Sequence, residues 1–217
     1  QPFRRSEWKQ QNMESGNFTV WTPGTMEEVI RDSTDWDFSA TDREYRAFDA
    51  AASIGYTVEE YPLNTYFWAE NRDTVYNTFR KRLIGWSDSL ISENTIEVNG
   101  VPALELSHYD FTRDIIRKTR ILMNDTVIYV MATLIPKAHG DTSNIDKFFS
   151  SFRFNNVISS DKVFARNSDR LFSDLSSTSE EIHTPAFEAL MDVYFTVKDT
   201  ALLTRKILEE YPVEGVN

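Results

Sequence analysis

Apolar and polar residues alternate along several short stretches of the chain, which is the pattern of strands that bury one face. In the stretch GNFTVWT, Phe18, Val20 and Thr22 share one face, and the following PG ends the run. Residues 45–61 show the same alternation twice, with a break near residues 51–55. The pattern therefore predicts a first strand from Phe18, followed by a pair of strands within residues 45–61.

The spacing of apolar residues changes to three and four over residues 71–90, which predicts an amphipathic helix. Asn71 is the expected N-cap, because its side-chain oxygen can accept a hydrogen bond from a free amide of the first turn. Asp73 suits the positive end of the helix dipole. The predicted apolar stripe consists of Val75, Phe79, Leu83, Trp86 and Leu90.

A tight hairpin follows at Asn99 and Gly100, two residues that tolerate the positive φ angles of a two-residue turn. The sequence predicts that residues 95–98 pair antiparallel with residues 101–108.

A second hairpin is predicted around Asn124 and Asp125, joining residues 118–123 to residues 126–135. Residues 127–131 are apolar on both sides of the pleat, so this strand is expected in the middle of a sheet that is covered on both faces. Such a sheet needs a layer over each face.

Four phenylalanines cluster within residues 148–154, and two explanations are open: a ligand site or a core. Ile145, Phe148, Phe149 and Phe152 have helical spacing. Burial stabilises each phenylalanine side chain by about 1.5–3 kcal/mol, which favours the core. We expect this helix to cover one face of the sheet and the helix from Asn71 to cover the other. The predicted fold class is therefore α+β, an antiparallel sheet with helices on both faces.

The chain is predicted to divide into an α+β domain at residues 1–156 and an extension at residues 157–217. The Ser-rich start of the extension suggests a loosely held connector. A helical hairpin follows, with Thr184 as N-cap and Pro185 as first helical residue of one helix, and Asp199 as cap of the next. The expected apolar face of the first helix comprises Phe187, Leu190, Met191 and Tyr194. We expect the pair to pack onto the domain; the alternative is a helical array.

The charge balance argues against nucleic acid as a partner. There are 34 Asp and Glu against 23 Lys and Arg, a formal net charge of −11, and such a surface repels phosphate backbones. The longest apolar run, residues 127–135, is about half the length of a membrane-spanning helix, so no membrane span is expected. The chain has no Cys, which excludes disulfides and thiolate metal sites. This composition fits a bacterial envelope protein, and we expect an extracytoplasmic location.

Candidate chemistry is sparse, and we predict no catalytic residue, no metal site and no cofactor. The histidines His108, His139 and His183 are scattered, without the spacing of a zinc motif. The acidic stretch at residues 35–42 lacks the glycine and the bidentate glutamate of a calcium loop. Glu59 and Glu60 are adjacent on a strand, so they point to opposite faces and are expected on the surface.

The weak candidate for a ligand site is the aromatic run Tyr66, Phe67 and Trp68, just before the helix that begins near Asn71. Aromatic rings beside free amides can form a small-molecule or peptide site. The alternative is that the three rings pack the corner between strand and helix.

The succession GNFTVWTP, NGVPALEL, TVIYVMATLIP and NIDKFFSSFRF resembles the PsbP-like superfamily over residues 16–156. In bacterial members a Phe-containing strand leading to Pro opens the domain, here Phe18 to Pro23, and a Phe-x-x-Ser-Phe-type helix closes it, here Phe149 to Phe152. The resemblance implies an antiparallel sheet sandwiched between helices. It implies no activity, because members include photosystem assembly or stabilising subunits and a nuclear-import factor that binds a small GTPase.

We therefore expect a non-catalytic binding or assembly module with a protein or small-molecule partner. One alternative is a hydrolase that uses His108 or His139 with an acid, and it requires a pocket where a histidine meets an acid and a hydroxyl. Another alternative is a module of a longer chain.

Overall fold

Seven antiparallel strands form the large sheet in the computed structural model, which describes residues 7–13, 15–32, 41–85, 88–137, 143–190, 193 and 195–208. The strands are β3 (Glu27–Asp32), β4 (Thr41–Asp49), β5 (Ile54–Pro62), β6 (Ser89–Val98), β7 (Val101–Asp110), β8 (Ile115–Asn124) and β9 (Val127–Pro136). Their order across the sheet is β3-β4-β5-β9-β8-β7-β6. The apolar strand β9 is therefore central, as predicted from its two apolar faces.

Helices cover both faces of this sheet. Helix α1 (Arg72–Leu83) packs on one face, where its Val75 and Phe79 join Ile121 and Val130 in one apolar cluster. Helix α2 (Ser143–Ser151) packs on the other face. The predicted fold class, an α+β protein with an antiparallel sheet between helices, is confirmed.

A small sheet of β1 (Trp8–Asn12), β2 (Phe18–Pro23) and β10 (Arg153–Phe154) lies on the α2 side. Phe18 stacks on Phe152 at 5.1 Å between ring centroids and meets Tyr129 of β9 edge-on at 5.9 Å. Phe148, Phe149 and Phe152 are fully buried. The phenylalanine cluster is thus core, as expected.

Both predicted hairpins are present. Asn99 and Gly100 have φ angles of 54° and 80°, as the tight turn requires. In the second hairpin the turn lies one residue later than predicted, because Asn124 ends β8 and Asp125 takes the positive φ of 56°.

Helix α1 is shorter than predicted. Asn71 caps it, and its side chain accepts a hydrogen bond from the Thr74 amide at 2.9 Å. The helix ends at Leu83, and Leu90 lies in β6, so the extension of the apolar stripe to Leu90 was wrong; Trp86 is outside the described residues. Gly85 donates a hydrogen bond to the Asp88 side chain at 2.8 Å, and the edge strand β6 begins at the next residue, Ser89.

The region after residue 156 differs from the predicted connector. It holds two 3₁₀ turns, Asp161–Phe164 and Val197–Asp199, and the helices α3 (Ser168–Leu175), α4 (Glu180–Ala189) and α5 (Thr200–Leu208). Helix α4 begins five residues before Pro185, so the predicted cap at Thr184 was wrong. Phe187 is exposed, and Met191 and Tyr194 are outside the described residues. The buried residues of α4 are Ala186 and Ala189.

These helices pack against the corner between β5 and α1. Tyr66 and Trp68 form one apolar cluster with Leu171 of α3, and with Ala186 and Ala189 of α4. Within the described residues, no helix has the length and apolar character needed to cross a membrane. The boundary at residue 156 between two domains stays a prediction.

Candidate ligand-binding groove

A groove of about 790 Å³ lies on the α1 face of the large sheet, over strands β3, β4 and β5. Helix α1 covers only the other part of this face, and its last turn, with Arg82 and Leu83, forms one rim. We name this feature the sheet groove. Its charged lining residues are Glu27, Glu44, Glu59, Arg46, Arg82, Arg113 and Arg117. The lining therefore carries four cationic and three anionic side chains, in a protein of net charge −11.

The floor of the sheet groove follows from strand register. Gly55 of β5 lies between Phe48 of β4 and Leu134 of β9, and Leu134 is paired in turn with Arg117 of β8. One row across four strands therefore runs from an apolar ring, over a position without a side chain, to a guanidinium group. The next row toward α1 places Thr57 beside Ala132, a second small residue.

Two ion pairs neutralise much of the charge in the groove. Arg46 donates to both carboxylate oxygens of Glu44, at 2.7 and 2.6 Å, and Glu44 is buried. Glu59 is also buried; it accepts a hydrogen bond from the Tyr61 hydroxyl and lies 3.5 Å from Arg117 Nη2. The expectation that Glu59 lies on the surface was wrong, since Arg117, 58 residues away in sequence, covers it.

Two polar groups at the groove have no hydrogen-bond partner within the described part of the chain. They are the Thr57 hydroxyl and Arg117 Nε, and both atoms are out of contact with solvent. Buried polar groups in proteins are nearly always hydrogen-bonded, and an unsatisfied one costs about 1–3 kcal/mol. Because both residues line the groove, we consider a bound ligand as the missing partner of these groups.

His108 of β7 is the cross-strand partner of Arg117 of β8 and lies on the side of Arg117 that faces away from the groove. It is almost fully buried. Its Nε2 is 3.5 Å from Asp88 Oδ2, and its Nδ1 has no hydrogen-bond partner among the described residues. Burial and the charge of Arg117 lower the pKa of His108, and the opposing effect of Asp88 is smaller. His108 therefore meets an acid but no hydroxyl in the part of the chain that the structure describes. His139 is outside those residues.

Glu60 points to the other face of β5, as the alternation of strands requires, but it is buried and not on the surface as expected. It accepts hydrogen bonds from Ser15 Oγ at 2.9 Å and Asn17 Nδ2 at 3.4 Å. Burial raises the pKa of Glu60, and these hydrogen bonds oppose the rise only in part. This carboxylate links the loop before β2 to the large sheet.

The aromatic run Tyr66, Phe67 and Trp68 is buried at the corner between β5 and α1. The Tyr66 hydroxyl donates to Asp174 of α3 at 2.9 Å, and Phe67 packs in the cluster under α1. A cavity of about 110 Å³ adjoins Phe67 and Trp68, much smaller than the sheet groove. The arrangement agrees with the alternative of corner packing, and a ligand role for these rings stays a prediction.

Across the described ranges, no three His, Asp or Glu side chains are grouped so that they could hold a metal ion.

An antiparallel sheet between helices, with a strand from Phe18 and a closing helix at Phe149, defines the PsbP-like fold, and comparison with solved structures supports this assignment. The cyanobacterial PsbP protein CyanoP from Synechocystis matches 69% of this chain and 93% of its own, with a TM-score of 0.50 and 12% identity. The Ran-binding protein Mog1p from Saccharomyces cerevisiae matches 72% of this chain and 98% of its own, with a TM-score of 0.44 and 10% identity.

At these identities the similarity shows the fold and nothing about the site. A scan with protein-family models found no match to this sequence, and neither did a search of curated proteins.

Proposed function

We propose that this chain is a non-catalytic binding module and that the sheet groove is its ligand site. The observation that carries the proposal is the pair of unsatisfied polar groups, Thr57 Oγ1 and Arg117 Nε, on a groove large enough for a small molecule. Pockets for such ligands commonly measure about 300–1,000 Å³ and present a small number of precisely placed polar groups.

Several features support binding without catalysis. The two buried carboxylates of the groove are hydrogen-bonded, since Arg46 binds Glu44 on both oxygens and Tyr61 donates to Glu59. His108 is behind the groove and not among the residues that line it. A hydrolase would need a histidine, an acid and a hydroxyl facing the same space.

The setting is part of the proposal. An acidic chain without cysteine fits an extracytoplasmic protein, and its net charge of −11 disfavours nucleic acid as a partner. The partner we propose is a small molecule, or a short segment of another protein that fits the same groove.

The experiment is a fragment screen on ¹⁵N-labelled protein, followed by amide chemical shifts. Fragments should shift the amides of Gly55, Thr57 and their neighbours, and ¹H spectra should show each fragment unchanged after prolonged incubation. Glu59→Gln should alter the affinities of these fragments. Glu60→Gln, a matched change on the opposite face of the same strand, should leave them unaltered. Fragments that bind only elsewhere, or that are converted, would contradict the proposal.

A further inference from the structure

We infer that the sheet groove recognises a carboxylate joined to a flat apolar group, with Arg117 and Thr57 binding the carboxylate. The inference rests on the proposed function, because it names the ligand class of the same groove.

The Arg117 guanidinium has more N–H donors than acceptors among the described residues. It carries five N–H donors, and its side chain is only 19% exposed, so water reaches little of it. Its one hydrogen bond within the described residues is the contact with Glu59 at 3.5 Å, longer than the roughly 2.7–2.9 Å of a strong charge-assisted bond. A carboxylate can accept two parallel hydrogen bonds from one guanidinium group, and Arg117 has N–H groups without an acceptor among the described residues.

The Thr57 hydroxyl can serve the same carboxylate. Thr57 and Glu59 lie on the same face of β5, two residues apart, which places their Cα atoms about 7 Å from each other. Arg117 reaches across β9 to Glu59, and Thr57 and Arg117 both line the sheet groove. The hydroxyl, which has no partner among the described residues, then donates to the carboxylate that Arg117 binds.

The apolar part of the ligand follows from the row that leads to Arg117. Phe48 is 61% exposed at one end, and Leu134 lies next to Arg117 at the other. Gly55 lies between them, and the three atoms nearest to a Cβ built there all belong to the Leu134 side chain, at 3.5–3.7 Å. The Leu134 side chain therefore leans toward Gly55 and, with Phe48, gives this part of the groove an apolar lining that suits an aromatic ring or a short alkyl group.

The charges of the lining favour a carboxylate over a phosphate and over a cation. Arg117 already shares its charge with the buried Glu59, so a dianion bound to Arg117 would leave a larger uncompensated negative charge than a monoanion does. A cation would need a free carboxylate, but Glu44 is bound by Arg46, and Glu59 is bound by Tyr61 and Arg117. The lowered pKa of His108 keeps a second positive charge away from Arg117 at neutral pH.

The test uses three probes of one shape: 3-phenylpropionate, its neutral amide and 2-phenylethylphosphonate. Each is titrated into the ¹⁵N-labelled full chain at neutral pH. We expect 3-phenylpropionate to shift the amides of Phe48, Gly55 and Thr57 saturably. The amide should bind at least 10-fold more weakly, and the phosphonate more weakly than the carboxylate.

Variants separate the roles of the side chains. Arg117→Gln should weaken binding of 3-phenylpropionate at least 10-fold, and Thr57→Val, which removes only the hydroxyl, about 3-fold to 10-fold. Gly55→Val fills the floor and should abolish binding, since strand interiors accept valine well. Glu60→Gln is the control and should bind as the wild type does. If Arg117→Gln fails to fold, Thr57→Val and the amide probe still decide the question.

The outcomes are distinct. Equal binding of the amide, tighter binding of the phosphonate, or shifts away from the groove would overturn the carboxylate assignment. If other fragments bind in the groove while 3-phenylpropionate does not, only the ligand class is wrong. If no fragment of any class shifts the groove, the proposed function fails as well.

Discussion

Replacement of Asp199 by alanine should detach α5 from the rest of the chain. Asp199 is fully buried and accepts hydrogen bonds from Ser168 Oγ at 2.6 Å, the Thr196 amide at 2.8 Å and Thr196 Oγ1 at 3.0 Å. It also forms an ion pair with Arg166. One carboxylate thus joins the start of α5 to the start of α3.

The size of the expected loss in stability follows from the groups that the Asp199 carboxylate binds. Removing the carboxylate leaves the buried Ser168 hydroxyl without its acceptor, which typically costs about 1–3 kcal/mol, whereas the Arg166 side chain is 37% exposed and can turn to water. We expect a loss of that size in the free energy that keeps α5 packed. Since about 1.4 kcal/mol corresponds to a factor of ten, α5 should open about 5-fold to 150-fold more often.

The same reasoning predicts a dependence on pH. Burial tends to raise the pKa of Asp199, but the hydrogen bonds from Ser168, Thr196 and Arg166 outweigh this effect and hold it below the ordinary value. Its contribution to stability is therefore complete above the pKa of the unfolded chain and is lost as the pH falls through the lower, folded value. Asp199→Ala should remove this acid-sensitive component.

Hydrogen exchange read by mass spectrometry measures the effect. Amides of α5 and α3 should exchange faster in Asp199→Ala, while β9 keeps its protection. Asp169→Asn, an exposed acid one residue after Ser168, is the matched control and should change little. Unchanged exchange in α5, or an equal loss of protection in β9, would refute the local role of this carboxylate.

Two further predictions concern the core. Glu60→Gln should raise the melting temperature at pH 7, because the raised pKa of Glu60 means that its ionised form is disfavoured in the fold. The gain in melting temperature should vanish below about pH 4.5, where Glu60 is protonated in both the folded and the unfolded chain. A difference that stays constant across pH would contradict this reasoning. Phe152→Ala should lower the free energy of unfolding in urea by about 3–5 kcal/mol, because this ring is fully buried. Phe187→Ala is the control: its side chain is 60% exposed, and its loss should change the free energy of unfolding by less than about 0.5 kcal/mol. Similar losses in both variants would be evidence against the assigned core.

Features set by neighbouring residues were predictable from the sequence. The turn at Asn99 and Gly100 needs only two residues that tolerate positive φ, and the Asn71 cap needs only an amide three residues later. The central position of β9 followed from apolar residues on both faces of the strand. The covering helix at Phe148 likewise followed from local spacing.

Features set by distant partners were not predictable. Leu90 continues the helical spacing of α1, but pairing with β7 draws it into β6. The sequence predicts Glu59 on the surface, but the fold places Arg117 beside it. The groove itself was missed, because its parts come from five strands and the last turn of α1. A signal was present in Gly55, a residue without a side chain near the start of a buried strand.

The pairing of β2 with β10 has a consequence for protein synthesis. The Trp21 amide donates to Ser151 Oγ, a residue 130 positions later, and Phe18 is paired with Phe154. The ribosome therefore releases the first strands long before their covering segment exists, and closing so long a loop is slow. Until translation passes residue 154, nascent chains display an uncovered aromatic surface that chaperones can bind.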